Sequence, residues 1–141
     1  MKPTLFLRIA AVLTLIHCIA HTAGGVLAGP APGAQASALS VVKSMRFEVM
    51  GVSRSYWDFH FGYGLFVTIT LLAEAILFWQ LADVAKKDVT AVRPIIALFI
   101  FVFVAISIVS ARFFFVAPVI VEFLIALSLA AAWVSARARL S

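Results

Sequence analysis

Four long apolar runs, at residues 5–28, 57–82, 94–111 and 116–135, leave this chain few ways to fold. A bilayer core of roughly 30 Å is crossed by about 20 predominantly apolar residues in a helix, so each run suffices for one crossing. The runs are continuous and rich in Leu, Ile, Val, Ala and Phe, without the period-2 alternation of a membrane barrel. The fold class they predict is all-α, an integral membrane four-helix bundle forming a single transmembrane domain over residues 1–141. Composition agrees: 65% of the residues are hydrophobic and 12% charged, and a water-soluble core of this size would leave too much apolar surface uncovered.

The connections follow from the breaks between runs. Between the third and fourth stand only Arg112 and the triplet Phe113, Phe114, Phe115, with Pro118 just beyond, which predicts a tight hairpin. Asp83 to Arg93 reads as a polar loop. The Gly29 to Gly33 stretch is a turn that no helix would tolerate. From Ser37 to Val52, Leu39, Val42, Met45, Val49 and Met50 recur near helical spacing among Lys43, Arg46 and Glu48, which predicts a short amphipathic helix in the membrane interface between the first two spans. A cleaved leader is the competing reading of the N-terminus, because Ala34, Gln35 and Ala36 before Ser37 resemble a cleavage site. The first run exceeds the usual core of about 7–15 residues and carries two histidines, which favours a retained span.

A formal charge of +5 raises nucleic acid as a partner, but the eleven Lys and Arg lie almost entirely at the ends of the apolar runs. Membrane topology accounts for them better. With four spans, Lys2, Arg8, Lys86, Lys87, Arg93, Arg137 and Arg139 fall on one side and Lys43, Arg46, Arg54 and Arg112 on the other. By the positive-inside rule both termini are expected in the cytoplasm. The partners expected are membrane lipids and another membrane protein or a second copy of the chain. The single cysteine, Cys18, lies within the first span and allows no intramolecular disulfide.

Ionisable residues within spans are costly, and here they gather toward one leaflet. At a rise of about 1.5 Å per residue, Asp58, His60, Arg112 and Glu122 fall near the outer edge, His21 roughly 10 Å down, and His17 and Glu74 near the midplane. At about 100° per residue His17, His21 and Gly24 share one face, as do His60, Gly64, Val67, Leu71 and Glu74. These stripes predict a pocket lined by His17, His21, Asp58, His60, Glu74 and Glu122 for a small amphiphile, quinone or lipid. Arg112 is expected to snorkel to the headgroups or to pair with Glu122 as its charge partner.

Three alternatives use the same residues. The polar groups could serve only as interhelical hydrogen bonds in a structural or accessory subunit of a membrane complex. His17 and His21 at i and i+4, with carboxylates from other helices, have the ligand types for a divalent metal. His21 and His60 could ligate a haem, with glycines at 24, 25, 62 and 64 making room for it. The residues assign no cofactor and leave open whether the chain is an enzyme.

The stretches RIAAVLTLIHCIAHTAGG, Arg8 to Gly25, and MGVSRSYWDFHFGYGL, Met50 to Leu65, resemble the paired signatures of a family of small bacterial membrane proteins with four spans. The resemblance covers the first half of the chain. It implies a bacterial inner-membrane location and supplies no activity.

Overall fold

The computed structural model describes residues 2–137, with side chains up to residue 136; Arg139 of the charge count lies outside them. Among the described residues, four helices are long and apolar enough to cross a membrane: Pro3–Val26, Tyr56–Lys87, Val89–Phe113 and Val116–Ala136. All-α is therefore the fold class, and the chain has the make-up of a multi-pass membrane protein. In order, the elements are α1 (Pro3–Ala20) continuing as a π-helical turn (His21–Val26), α2 (Ala34–Ser44), β1 (Arg46–Val49), β2 (Val52–Ser55), α3 (Tyr56–Lys87), α4 (Val89–Phe113) and α5 (Val116–Arg137). They fall into two compact units, residues 1–17 with 71–141, and residues 18–70.

The first unit is built from four helical stripes. Leu7, Ala10, Ala11 and Thr14 on α1, Leu71, Ala75, Phe78, Leu81, Ala82 and Ala85 on α3, Val92, Ile96, Phe103, Ser107 and Ser110 on α4, and Glu122, Ile125, Ala126, Leu129, Ala132 and Ala136 on α5 are buried. Each set recurs at three and four residues, so each helix buries one face in this unit and leaves apolar side chains exposed on the others. The alanines let helix backbones approach, while Phe78 fills the space against Phe99 edge-on at 5.1 Å and Phe103 at 6.0 Å. α4 and α5 form the expected hairpin, joined by Phe114 and Phe115 alone.

The stretch from Asp83 to Arg93, expected as a loop, is helical except at Asp88. α3 runs on to Lys87, with Lys86 and Lys87 in its last turn, where cations meet the negative end of the helix dipole. Asp88 then caps α4 by accepting from Thr90 N at 2.9 Å and Ala91 N at 3.1 Å. Pro94 sits inside α4 near its start.

In the second unit the amphipathic helix expected over 37–52 is shorter and starts earlier, at Ala34. Residues 46–55 form an antiparallel hairpin with Arg46 opposite Ser55, Phe47 opposite Arg54, Glu48 opposite Ser53 and Val49 opposite Val52. The turn is Met50–Gly51, with φ of 49° and 84°. Two consecutive positive φ angles are the type I′ signature, whose twist matches that of the strands. α2 itself has no buried residue.

Candidate functional site

The predicted site residues fall into both units, three in each. In the first unit α1 contributes His17, α3 Glu74 and α5 Glu122. Glu122 lies on the buried stripe of α5 and is 3% exposed. Its Oε1 accepts a hydrogen bond from Ser110 Oγ of α4 at 2.9 Å, and His17 Nε2 stands 4.0 Å from the same oxygen, with 12% of the His17 side chain exposed. Three helices thus converge on one carboxylate oxygen. The second oxygen, Oε2, is buried and has no hydrogen-bond partner among the described residues, and the same holds for Ser107 Oγ, one turn before Ser110. Glu74, expected near the same depth as His17, is half-buried on α3.

A buried polar atom without a partner costs about 1–3 kcal/mol, more when charged. The two atoms here lie on the stripes of α4 and α5 where every neighbour in sequence register is apolar or small. This arrangement can hold a proton between imidazole and carboxylate, and it can complete a ligand group that both donates and accepts.

Arg112, expected as the charge partner of Glu122, does not take that place. It is exposed on the last turn of α4, with its guanidinium 5.4 Å from the centre of the Phe113 ring. Glu122 faces Ser110 and His17 instead, because Glu122 occupies the inward stripe of α5 and the end of α4 turns Arg112 outward.

The second unit satisfies its polar groups internally. His21 Nε2 lies 3.0 Å from the carbonyl oxygen of Gly64; a carbonyl only accepts, so this nitrogen carries the proton. The same carbonyl accepts from Thr68 Oγ1 at 3.1 Å. Thr68 Oγ1 in turn meets Thr22 Oγ1 at 3.0 Å, and its backbone carbonyl takes Cys18 Sγ at 3.4 Å. The single hydroxyl proton of Thr22 goes to the Cys18 carbonyl at 2.7 Å, so with Thr68 donating to Gly64 the approach of the two hydroxyls is a contact rather than a third bond. The Thr22 carbonyl accepts from Leu27 N at 2.9 Å, five residues on. π-Helical turns of this kind recur at functional sites, but here the groups presented are already paired.

Asp58 and His60 have separate local roles. Ser55 N donates to Asp58 Oδ2 at 2.8 Å and Asp58 N donates to Ser55 Oγ at 3.2 Å, a reciprocal capping box that starts α3. Arg46 of β1 reaches the same carboxylate at 3.7 Å. His60 is exposed and leans on Trp57, ring centres 5.4 Å apart, while Lys43 Nζ sits 4.7 Å from the centre of the Trp57 ring.

Of the four glycines expected to make room for a haem, Gly24 and Gly62 have open space where a Cβ would stand, and the other two are packed. Gly64 packs against Val26, whose Cγ2 would lie 3.0 Å from a Cβ there, and a Cβ on Gly25 would meet the His21 ring at 3.6 Å. His21 Nε2 is turned to the Gly64 carbonyl rather than presented toward His60. Among the described residues no group of three or more His, Cys, Asp or Glu is placed to hold a metal ion.

Sequence reasoning passed over Ser107 and Ser110, the two buried serines of α4. Their spacing of three inside a span otherwise made of large apolar residues was the available signal, since it puts both hydroxyls on one face. Thr22 and Thr68 were passed over likewise. The chain matches no family model, and no curated protein or solved structure shows significant similarity to it.

Proposed function

We propose that this chain is a small bacterial inner-membrane protein, both termini cytoplasmic, that binds the polar head of a small amphiphile at the His17–Glu122–Ser110 centre. The observation that carries the reading is the pair of buried, unpartnered atoms Glu122 Oε2 and Ser107 Oγ. A ligand head with both acceptors and donors completes them, and a quinone has that chemistry. Its carbonyls accept from hydroxyls, and its reduced hydroxyls donate to a carboxylate. His17, 4.0 Å from Glu122, balances the carboxylate charge when protonated. The seven-to-four distribution of Lys and Arg supports the orientation, which puts the centre toward the extracytoplasmic end of α5. α2, with no buried residue and Lys43 in its last turn, is read as lying in the interface on that side.

The test is to purify the full chain in mild detergent and identify co-purifying small molecules by mass spectrometry. The wild type is expected to carry an amphiphile at near-stoichiometric level and the Glu122→Gln and Ser107→Ala variants to lose it. Recovery of no such molecule from wild type, together with no uptake of an added short-chain quinone, refutes the reading.

A second reading, a structural or accessory subunit, is favoured by the Ser110–Glu122 bond itself, which fastens α4 to α5. In lipid such bonds contribute about 0.6–2 kcal/mol. Under that reading Ser110→Ala and Glu122→Gln lower stability and leave no ligand to lose.

A further inference from the structure

We propose that the first unit carries a second site, at the end of α1 and α3 that holds Lys2 and Lys86, for the phosphate headgroup of an anionic phospholipid. This site is independent of the His17–Glu122 centre and uses none of its residues.

Arg8 poses the problem that the site resolves. It lies on the second turn of an apolar membrane-length helix, where a cation is costly. Its guanidinium stacks on Trp79 of α3, 4.8 Å from the ring centre, and Nη2 donates to Asp83 Oδ1 at 3.3 Å. Lys86 Nζ donates to that same oxygen at 2.6 Å. One carboxylate oxygen therefore holds two cations side by side, and Asp83 can neutralise only one of them.

Lys2 adds a third cation. Lys2, Thr4, Leu5, Arg8 and Lys86 line an open groove of about 470 Å³. Three positive side chains against one carboxylate give the groove a net charge of two, already assembled before any ligand arrives. Arg8 and Lys86 keep 42% and 53% of their side chains exposed, so donors remain available to an incoming anion. A phosphodiester presents several acceptor oxygens on one negative charge, the match for clustered ammonium and guanidinium groups.

The apolar surroundings select a lipid over a free phosphate. Leu5 lines the groove and is exposed, and Ile9 and Val12 are exposed beyond it at i+4 and i+7. These three residues share one face of α1 and form an apolar track leading from the groove along the span. A headgroup seated among the cations would lay its acyl chain on that track. Basic grooves between membrane helices near a headgroup layer recognise anionic lipids by this combination of charge and depth.

The experiment measures lipid retention by the full chain in native mass spectrometry. The protein is taken from mixed micelles containing equal amounts of phosphatidylglycerol and phosphatidylcholine. Wild type is expected to retain phosphatidylglycerol preferentially, and the double variant Lys2→Ala/Lys86→Ala to lower the ratio of the two lipids by about tenfold. Asp83→Asn, which removes the carboxylate that Arg8 and Lys86 share, should raise the ratio, so the proposal stays testable if the double variant folds poorly. Lys43→Ala/Arg54→Ala in the second unit should leave it unchanged. Equal retention of the two lipids by wild type overturns the proposal, as does an unchanged ratio in the double variant or a fall in Asp83→Asn. Displacement of the lipid by equimolar glycerol 3-phosphate overturns the choice of a lipid and identifies a site for soluble phosphate.

Discussion

Two histidines four residues apart on one continuous helical segment have opposite surroundings. His21 of the second unit meets the Gly64 carbonyl at 3.0 Å, within a set of hydroxyl, thiol and carbonyl groups that satisfy one another. His17 of the first unit stands by a buried carboxylate that keeps one oxygen unpartnered. A backbone carbonyl does not titrate and cannot be given up without leaving the peptide unpaired, so a histidine bonded to it is fixed in orientation and protonated at Nε2. A histidine beside a carboxylate belongs to a pair that can gain, lose or redirect a proton or accept a ligand between its members. Residue type alone does not separate the two, and the partner does.

Glu122→Gln probes this difference most strongly. The amide keeps an oxygen for Ser110 Oγ and fills the same volume, while the negative charge is lost. Ligand retention is expected to fall at least about tenfold, the order expected when a charged hydrogen bond to a ligand is lost, with unfolding stability changed by less than about 1 kcal/mol. Retention at the wild-type level would move the functional weight away from this centre.

Gly64→Ala acts on the other histidine with the next largest effect, and through stability. The new Cβ comes 3.0 Å from Val26 Cγ2, so the π-helical turn and α3 must shift, and overpacking of this kind costs about 1–3 kcal/mol. The His21–Gly64 bond lengthens with that shift. Val26→Ala in the same chain should restore most of the loss. Thermal unfolding in detergent measures both, and no recovery in the double variant would mean that the glycine serves something other than close packing.

The helices were legible because lipid imposes a signal that local detail cannot mask: each run must be continuous and apolar. Their ends were less so. Asp83 to Arg93 looks like a loop by polarity, yet a helix leaving the membrane keeps its backbone bonds in water, and only Asp88, an N-cap residue, interrupts it. The 46–55 hairpin was hidden because Met45, Val49 and Met50 fit a helical spacing as well as Phe47 and Val49 fit alternation. Gly51 after Met50 was the tiebreaker, since a type I′ turn needs positive φ at both positions. For the candidate site, sequence depth brought His17 to the level of Glu74, whereas the contact with Glu122 depends on how α5 is rotated, which no hydropathy pattern encodes. Asp58, expected as a site residue, is engaged in the capping box with Ser55, a local role that its place at the start of a span left open.

Thr68→Val is the smaller test of the second unit. Valine keeps the shape and removes the hydroxyl, so the bond to Gly64 O and the contact with Thr22 Oγ1 are lost. Thr22 retains the Cys18 carbonyl and Gly64 O retains His21, so no group is left wholly unpaired and the cost should stay near the lower end of about 0.6–2 kcal/mol. Ligand retention should not change. A loss of ligand without a loss of stability would show that the second unit, too, takes part in binding.

His60→Ala should have the smallest effect of the series, and it separates an exposed histidine from the two inner ones. Its ring rests on Trp57 and makes no hydrogen bond among the described residues. Trp57 keeps its contact with Lys43 and with Phe61, 6.1 Å between ring centres, in the absence of the imidazole. Surface substitutions of this kind fall within about 0.5 kcal/mol of neutral, so unfolding and ligand retention should both match wild type. A larger fall in retention than Glu122→Gln produces would reverse the ranking of the histidines and return the binding site to the aromatic segment around Trp57.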